Sequence, residues 1–138
     1  MATSISARNA WRVFRKTITF TAGAGTGNIG TVAVATTTGS IFIQEAGAVC
    51  TTSLTADGAA TIEMGVANDT AGILAQATAT ALDAGMAWAA TPDELIPTAA
   101  NITATGDIII TVATANLTAG VILVCIYYKP LTVDGYLV

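Results

Sequence analysis

The sequence predicts an all-β protein, an antiparallel two-sheet β-sandwich of about eight strands. β-Branched residues are abundant, with 14 Ile, 10 Val and 24 Thr in 138 residues, and such side chains favour strands over helices. Short runs with strand-like alternation recur along the chain, and Gly, Asn and Asp turn signals separate them. Few helical patterns interrupt them. A chain of this length forms one domain, most simply a jelly-roll-like sandwich.

The first 16 residues differ from the rest because they hold four of the five basic residues. Three arginines fall at helical spacing, with two aromatic residues between them. We therefore expect residues 1–16 to form a basic arm, extended or in a short helix, and residues 17–138 to form the sandwich. The residues expected to contact a partner through this arm are Arg8, Trp11, Arg12, Phe14, Arg15 and Lys16.

The body divides into strand-like segments. The predicted strands are 17–21, 31–36, 41–43, 48–54, 61–66, 72–78, 86–90, 108–113 and 121–128. In the fifth, Ile62, Met64 and Val66 share one face, as period-two alternation requires. Two prolines make residues 91–100 an irregular connection or one capped helical turn. The tail, residues 129–138, is expected to lie along a sheet edge.

A weak internal repeat aligns residues 55–75 with residues 103–123, with nine of 21 positions identical. Its most specific feature is an Asn-x-Thr-Ala-Gly sequence, which begins at Asn68 and again at Asn116. Asparagine and glycine are common turn residues. The repeat therefore predicts two equivalent strand-turn-strand hairpins. The second hairpin explains the apolar run 108–128 better than a membrane helix does, because turn residues interrupt that run.

The net charge of −4 conceals an asymmetry. From Thr17 onward one Lys faces nine acidic residues, a balance of −8. The basic arm could bind an acidic surface on another protein. Nucleic acid is a less favourable partner, because its phosphates would repel the acidic body. A solvated, frayed terminus is the plainer alternative. Neither nucleic acid nor a membrane is expected as a partner. The stretch 18–34 is too often interrupted by Thr and Gly for an export signal.

Chemistry is disfavoured by composition. The chain has no histidine, which removes the Ser/His/Asp and Cys/His triads and the commonest general base. Its nine acids are scattered, mostly at predicted turns, and no calcium-loop or zinc spacing is present. The G-x-G-x-x-G match at residues 25–30 precedes a strand rather than a helix, so nucleotide binding is not expected. The chain is therefore expected to have no cofactor and no enzymatic activity.

Cysteines and aromatic residues give two smaller expectations. Cys50 and Cys125 lie in apolar strand-like runs and are expected to be buried free thiols, although a disulfide between them stays open. Trp88 is expected in the core, with one of the adjacent Tyr127 and Tyr128, which point to opposite faces of one strand. The other tyrosine is expected at the surface.

Four stretches carry a resemblance to small virion proteins of tailed bacteriophages. They are KTITFTAGAGTGNIGTVAVATTTGSIFI, VCTTSL, AATIEMGVANDTAGILA and DIIITVATANLTAGVILVCIYYKPL, within roughly residues 16–135. The resemblance implies a jelly roll that assembles as a symmetric oligomer, with a trimer favoured. It implies a capsid decoration (cement) protein, made in the bacterial cytoplasm, that binds the major capsid protein on the virion surface. It supplies no catalytic residues.

Three other functions stay open. A tail, fibre or baseplate module that binds a receptor or glycan predicts an exposed aromatic, such as Trp88 or Tyr128, in a groove beside Asp or Asn. A cell-surface or pilus-type subunit predicts export. An enzyme needs a carboxylate pair that the scattered acids do not single out.

Overall fold

A computed structural model describes residues 10–23, 25–89 and 106–138. Arg8 and the connection 91–100 lie outside these ranges. One 3-10 turn, Ala79–Ala81, precedes the seventh strand. The strands are β1 Arg12–Thr21, β2 Gly30–Ala35, β3 Thr37–Thr38, β4 Ile41–Ala56, β5 Thr61–Val66, β6 Asp69–Thr78, β7 Ala87–Ala89, β8 Ile108–Ala113, β9 Leu117–Pro130 and β10 Tyr136–Leu137.

Eight strands form two antiparallel four-stranded sheets. The first sheet has the order β1-β9-β4-β7 and the second has the order β2-β8-β5-β6. Of these eight, only β5 and β6 are neighbours both in sequence and within a sheet. Each other step along the chain changes sheet, which is the double Greek-key connectivity of a jelly roll. The predicted all-β sandwich is confirmed. The two short strands β3 and β10 pair separately.

The core lies between the two sheets and is mainly aliphatic. In β9, Ile122, Val124 and Ile126 have no exposed surface and alternate with side chains on the other face. Ile62 and Ile110 are equally buried in the second sheet. Each such side chain stabilises the fold by about 1.5–3 kcal/mol relative to an exposed position. The β-branched composition therefore builds both the strands and the layer between them.

β1 begins earlier than the sequence predicted. It pairs with β9 continuously from Arg12 opposite Tyr128 to Thr21 opposite Ala119. Residues 12–16 are thus extended, the first of the two expected conformations, and they are continuous with residues 17–21. Phe14 packs against the core, which holds this part of the segment to the sandwich.

β4 joins two segments that the sequence separated. Residues 41–43 and 48–54 belong to one 16-residue strand. Its register against β9 shifts between Ile43 and Glu45, which marks a β-bulge at Gln44. The bulge takes up the extra residue, Gln44, and pairing with β9 resumes after it. Gly47 therefore lies within the strand and does not end it.

Only one of the two predicted hairpins forms. β5 and β6 pair around residues 67–68, which confirms the first. β8 and β9 lie in different sheets, so the second is wrong, although 108–113 and 117–130 are two strands as expected. Thr114 has a positive φ of 73°, and residues 114–116 carry the chain from one sheet to the other. Asn116, at the end of this segment, is hydrogen-bonded to Asp57 and Ile29.

The tail partly follows its prediction. Tyr136 and Leu137 of β10 pair with Thr38 and Thr37 of β3 at one end of the sandwich. The buried backbone N–H of Leu137 donates a hydrogen bond to Tyr128 Oη at 3.2 Å. The chain end is thereby tied to β9. Within the described ranges, no helix is long and apolar enough to cross a membrane.

Candidate interaction surface

The first sheet presents an unusually apolar outer side. Strand alternation points Ile122, Val124 and Ile126 into the core, so the residues between them face outward. We call this outer side the apolar face. It is defined by Val13 on β1, Leu123, Cys125 and Tyr127 on β9, Val49 on β4 and Ala89 on β7.

The cross-strand register places these residues in rows. Val13 lies opposite Tyr127, which lies opposite Glu45. In the next row Arg15, Cys125 and Gly47 are aligned, and Ala89 follows on β7. Residues paired in this way have Cβ atoms about 4.5–5.5 Å apart. The face is therefore continuous across all four strands.

Small residues make a shallow depression within the face. Gly47, Ala87 and Ala89 lie side by side on β4 and β7, and the larger Val49 and Tyr127 rise beside them. The depression is lined almost wholly by apolar atoms, with the Glu45 carboxylate the charged group at its margin. Such a site suits an apolar side chain from another protein surface.

Alternation divides the predicted arm residues into two groups. Arg15 is on the outer side, in the row of Cys125, and Trp11 lies just before β1 on the same side. The Trp11 ring centroid lies 6.3 Å from that of Phe42, and Lys129 Nζ lies 5.7 Å from the Trp11 centroid, a distance at which a cation and a ring attract each other. Trp11 is thus packed against the sheet, although 46% of its surface is exposed.

The other predicted residues of β1 lie on the core side. Arg12, Phe14 and Lys16 are paired with buried positions of β9. Lys16 Nζ donates a hydrogen bond to Ala33 O of β2, at 3.3 Å, so it links the two sheets where the sandwich opens. Arg12 is exposed. The structure therefore does not bring all of these side chains to one surface.

Charge is segregated in the described part of the chain. Its four cations, Arg12, Arg15, Lys16 and Lys129, lie on β1 and β9. β1 is an edge strand, and charged side chains also keep such edges from pairing with other chains. Acidic residues occur on or beside strands of the second sheet and in turns, and Glu45 is the one on the first sheet within the described ranges.

The outer side of the second sheet has a different character. One row joins Thr31, Thr111 and Glu63, and Thr70 Oγ1 donates a hydrogen bond of 2.5 Å to Glu63 Oε1. The Thr111 hydroxyl in that row is buried and has no hydrogen-bond partner. The sandwich thus has one polar outer side and one apolar outer side.

The aromatic predictions are resolved by the same alternation. Trp88 and Tyr128 are both 4% exposed, and Tyr127 is 40% exposed. Trp88 Nε1 donates a hydrogen bond to Ala75 O at 3.3 Å. These results confirm that Trp88 and one tyrosine lie in the core. Trp88 and Tyr128 are therefore too buried to line a surface groove.

The two cysteines are free and lie on opposite sides of the first sheet. Cys50 is buried, and its Sγ lies 3.1 Å from Thr52 O and 3.3 Å from Leu82 O, so its single S–H has two alternative acceptors. Burial raises the pKa of the Cys50 thiol, and the nearby Asp83 charge acts in the same direction. Cys125 is half-buried on the apolar face, so the expectation of a fully buried thiol is met only at Cys50.

The glycine-rich loop is a structural connection between β1 and β2. Gly27 N–H donates to Thr21 O at 3.1 Å, and Leu117 N–H donates to Gly27 O at 2.7 Å. A Cβ at Gly27 would collide with the backbone oxygens of Leu117 and Thr21. Close approach to protein backbone, rather than to a phosphate, accounts for glycine here.

Neither a carboxylate pair nor a metal site stands out. No group of three or more potential ligating residues occurs within the described residues. Glu63 is engaged by Thr70 and Gln76, and Asp57 is engaged by Asn116. These acids serve the fold, which leaves the apolar face as the candidate functional site.

Sequence reasoning missed most of this face. It treated the run VILVCIYY as a strand and looked for exposed residues only among its tyrosines. The missed signal is that the residues on both faces of this strand are apolar, as they are in a strand covered on both sides. In the structure the side chains on one face fill the core, and those on the other face are left uncovered.

Comparison with known proteins gives a fold relationship. No protein-family model matches the chain, and no curated protein sequence does. The chain is similar to a chain of a solved structure described as "Cyanophage Pam1 capsid asymmetric unit". The TM-score is 0.54 with 17% sequence identity, and the match covers 88% of this chain and 86% of that one. The similarity extends over most of both chains and is one of fold.

Proposed function

We propose that this protein is a structural component of a tailed-phage virion, and specifically a capsid decoration protein. The observation that carries the proposal is the jelly-roll similarity to a chain of a cyanophage capsid structure over 88% of this sequence. The sequence resemblance to small phage virion proteins supports the same role independently. The scattered acids and the absence of histidine support a structural role rather than an enzymatic one.

The proposed mechanism is stabilisation by mass action. A protein that binds the assembled shell, and not its separated subunits, stabilises the shell by RT ln(1 + [L]/Kd). A symmetric oligomer, with a trimer favoured, contacts several copies of the major capsid protein at once. Its avidity then exceeds the affinity of each single contact. The expected location is the outer surface of the capsid.

The proposed contact with the shell is the basic start of the chain. Arg8 and the exposed Arg12 are the residues assigned to this contact, because Lys16 is hydrogen-bonded to β2 and Phe14 packs on the core. Trp11 holds the segment against Phe42. Arginine is a frequent anchor of protein interfaces and pairs well with carboxylates. An acidic surface on the major capsid protein is the expected partner.

The alternative is a tail, fibre or baseplate module that binds a receptor or glycan. It relied on an aromatic groove, and both aromatic residues that it named are in the core. The decoration role therefore has the stronger support. The two roles differ in stoichiometry, since decoration proteins coat a lattice and tail modules occur in few copies.

Copy number in purified virions tests the proposal. Quantitative mass spectrometry should give a number comparable to that of the major capsid protein. A handful of copies would exclude decoration and favour the tail module. Absence from the particle would exclude both roles.

A truncation tests the contact. Removal of residues 1–10 eliminates Arg8 and leaves β1 and the Trp11 packing intact, whereas removal of residues 1–16 would also delete half of β1. Combined with Arg12→Gln, the truncation should lower cosedimentation with undecorated heads about tenfold or more, the effect of losing an interfacial charge contact. The thermal midpoint serves as the folding control. Unchanged binding would show that the segment does not dock.

A further inference from the structure

The apolar face is not covered by any described part of the chain. Val13, Val49 and Tyr127 on three adjacent strands are 42%, 46% and 40% exposed, and Leu123 and Cys125 between them are half-buried. Contiguous apolar surface of this kind marks a binding site on a soluble protein. The threonine-rich outer side of the second sheet shows that this chain also builds polar sheet surfaces.

The outer side of the first sheet carries two cations, Arg15 and Lys129, and one anion, Glu45, and Lys129 lies over the Trp11 ring. Arg15 and Glu45 lie on either side of β9, opposite Cys125 and Tyr127 respectively. Strand spacings put their Cα atoms roughly 12 Å apart. Both side chains are exposed. Each charge is therefore available to an opposite charge on a partner.

The face has both a recessed part and protruding side chains. It presents a depression over Gly47, Ala87 and Ala89 and protruding side chains at Val13 and Tyr127. Four strands and the length of β9 from Val121 to Lys129 give roughly 500 Å² per face, or about 1,000 Å² for two faces, near the lower limit of specific interfaces. A second identical face supplies apolar area and both charges.

We propose that another copy of this chain covers the apolar face, with Arg15 of one copy against Glu45 of its neighbour. Charge complementarity selects this occupant, because the face holds both members of the pair with apolar surface between them. In a closed symmetric oligomer every copy then forms the same contact. The inference rests on the proposed function in that it assigns the contact within the proposed oligomer, and the solution measurements below test that contact separately from head binding.

Charge reversal tests the contact. Sedimentation equilibrium should show an oligomer for the native chain. Arg15→Glu alone and Glu45→Arg alone should each raise the dissociation constant about tenfold or more, and the double variant should recover most of the loss, as coupled interfacial charges do. Asp107→Lys, a charge reversal beside β8 of the second sheet, should leave association unchanged.

Val49→Asp tests the apolar part and should abolish association, with an unchanged far-ultraviolet circular dichroism spectrum as the folding control. A monomeric native chain at its highest soluble concentration would overturn the proposal. So would an oligomer that survives Val49→Asp. If the double charge variant stays dissociated, the assigned Arg15–Glu45 contact is wrong. A monomer that loses binding to heads on Val49→Asp would assign the face to the capsid protein instead.

Discussion

Asn116 and Asp57 are joined by hydrogen bonds from both backbone and side chain. Asn116 N–H donates to Asp57 Oδ1 at 3.0 Å, Asn116 Nδ2 donates to Asp57 Oδ2 at 3.4 Å, and Asp57 N–H donates to Asn116 O at 3.1 Å. Asn116 Oδ1 also accepts from Ile29 N–H at 3.0 Å. One side chain thus connects three loops at the end of the sandwich where β8 crosses to β9.

Replacement of Asn116 by Ala should lower the free energy of unfolding by about 0.5–1.5 kcal/mol, because the Ile29 N–H and Asp57 Oδ2 lose the Asn116 side chain as their partner. Urea denaturation measures the change. Asn68→Ala is the matched control, since Asn68 holds the equivalent place in the sequence repeat but lies exposed at the β5–β6 turn. Its effect should be within about 0.5 kcal/mol. Equal effects at the two sites would contradict the assigned role of Asn116.

Gly27→Ala should destabilise the protein by about 2 kcal/mol or more, because the new Cβ overlaps backbone oxygens of Leu117 and Thr21 that cannot move cheaply. Thermal unfolding reports the loss. Gly106→Ala provides the comparison, since no atom lies within 4 Å of its added Cβ. A stable Gly27→Ala protein would mean that the loop does not approach β9 as described.

Tyr128→Phe should cost about 1–2 kcal/mol, because the buried Leu137 N–H loses its acceptor. Hydrogen exchange at Leu137 should accelerate by a corresponding factor. The adjacent Tyr127→Phe should have almost no effect on stability, since Tyr127 is on the outer side of the sheet. If both variants behaved alike, the tail would not depend on the Tyr128 hydroxyl.

The two thiols should differ in reactivity. Cys125 should be alkylated by iodoacetamide in the native protein, and Cys50 should react only after unfolding, because it is buried and its pKa is raised. Peptide mass spectrometry after timed labelling separates the two sites. If the apolar face is an interface between copies, Val49→Asp should also speed the labelling of Cys125. Rapid labelling of native Cys50 would contradict its place in the core.

Much of the fold was predictable because it depends on local patterns. β-Branched residues in alternating runs predicted the strands, and β5 and β8 have the predicted bounds. Strand ends were less accurate, since β4 and β9 extend through residues that resemble turn signals. Pairing with a neighbouring strand stabilises those residues in extended form, and no local pattern records that pairing.

Local sequence patterns are enough to predict that this chain forms β-strands around an aliphatic core, with a basic beginning and an acidic body. Composition and period-two alternation are local properties, so they can be read without coordinates. Local patterns do not predict which sheet each strand joins, that the second copy of the repeat crosses between sheets, or which side of β9 is left uncovered; the folded chain shows all three. Sheet membership depends on contacts between distant residues, such as Asn116 with Asp57, and the exposure of Leu123, Cys125 and Tyr127 depends on which strands lie against them.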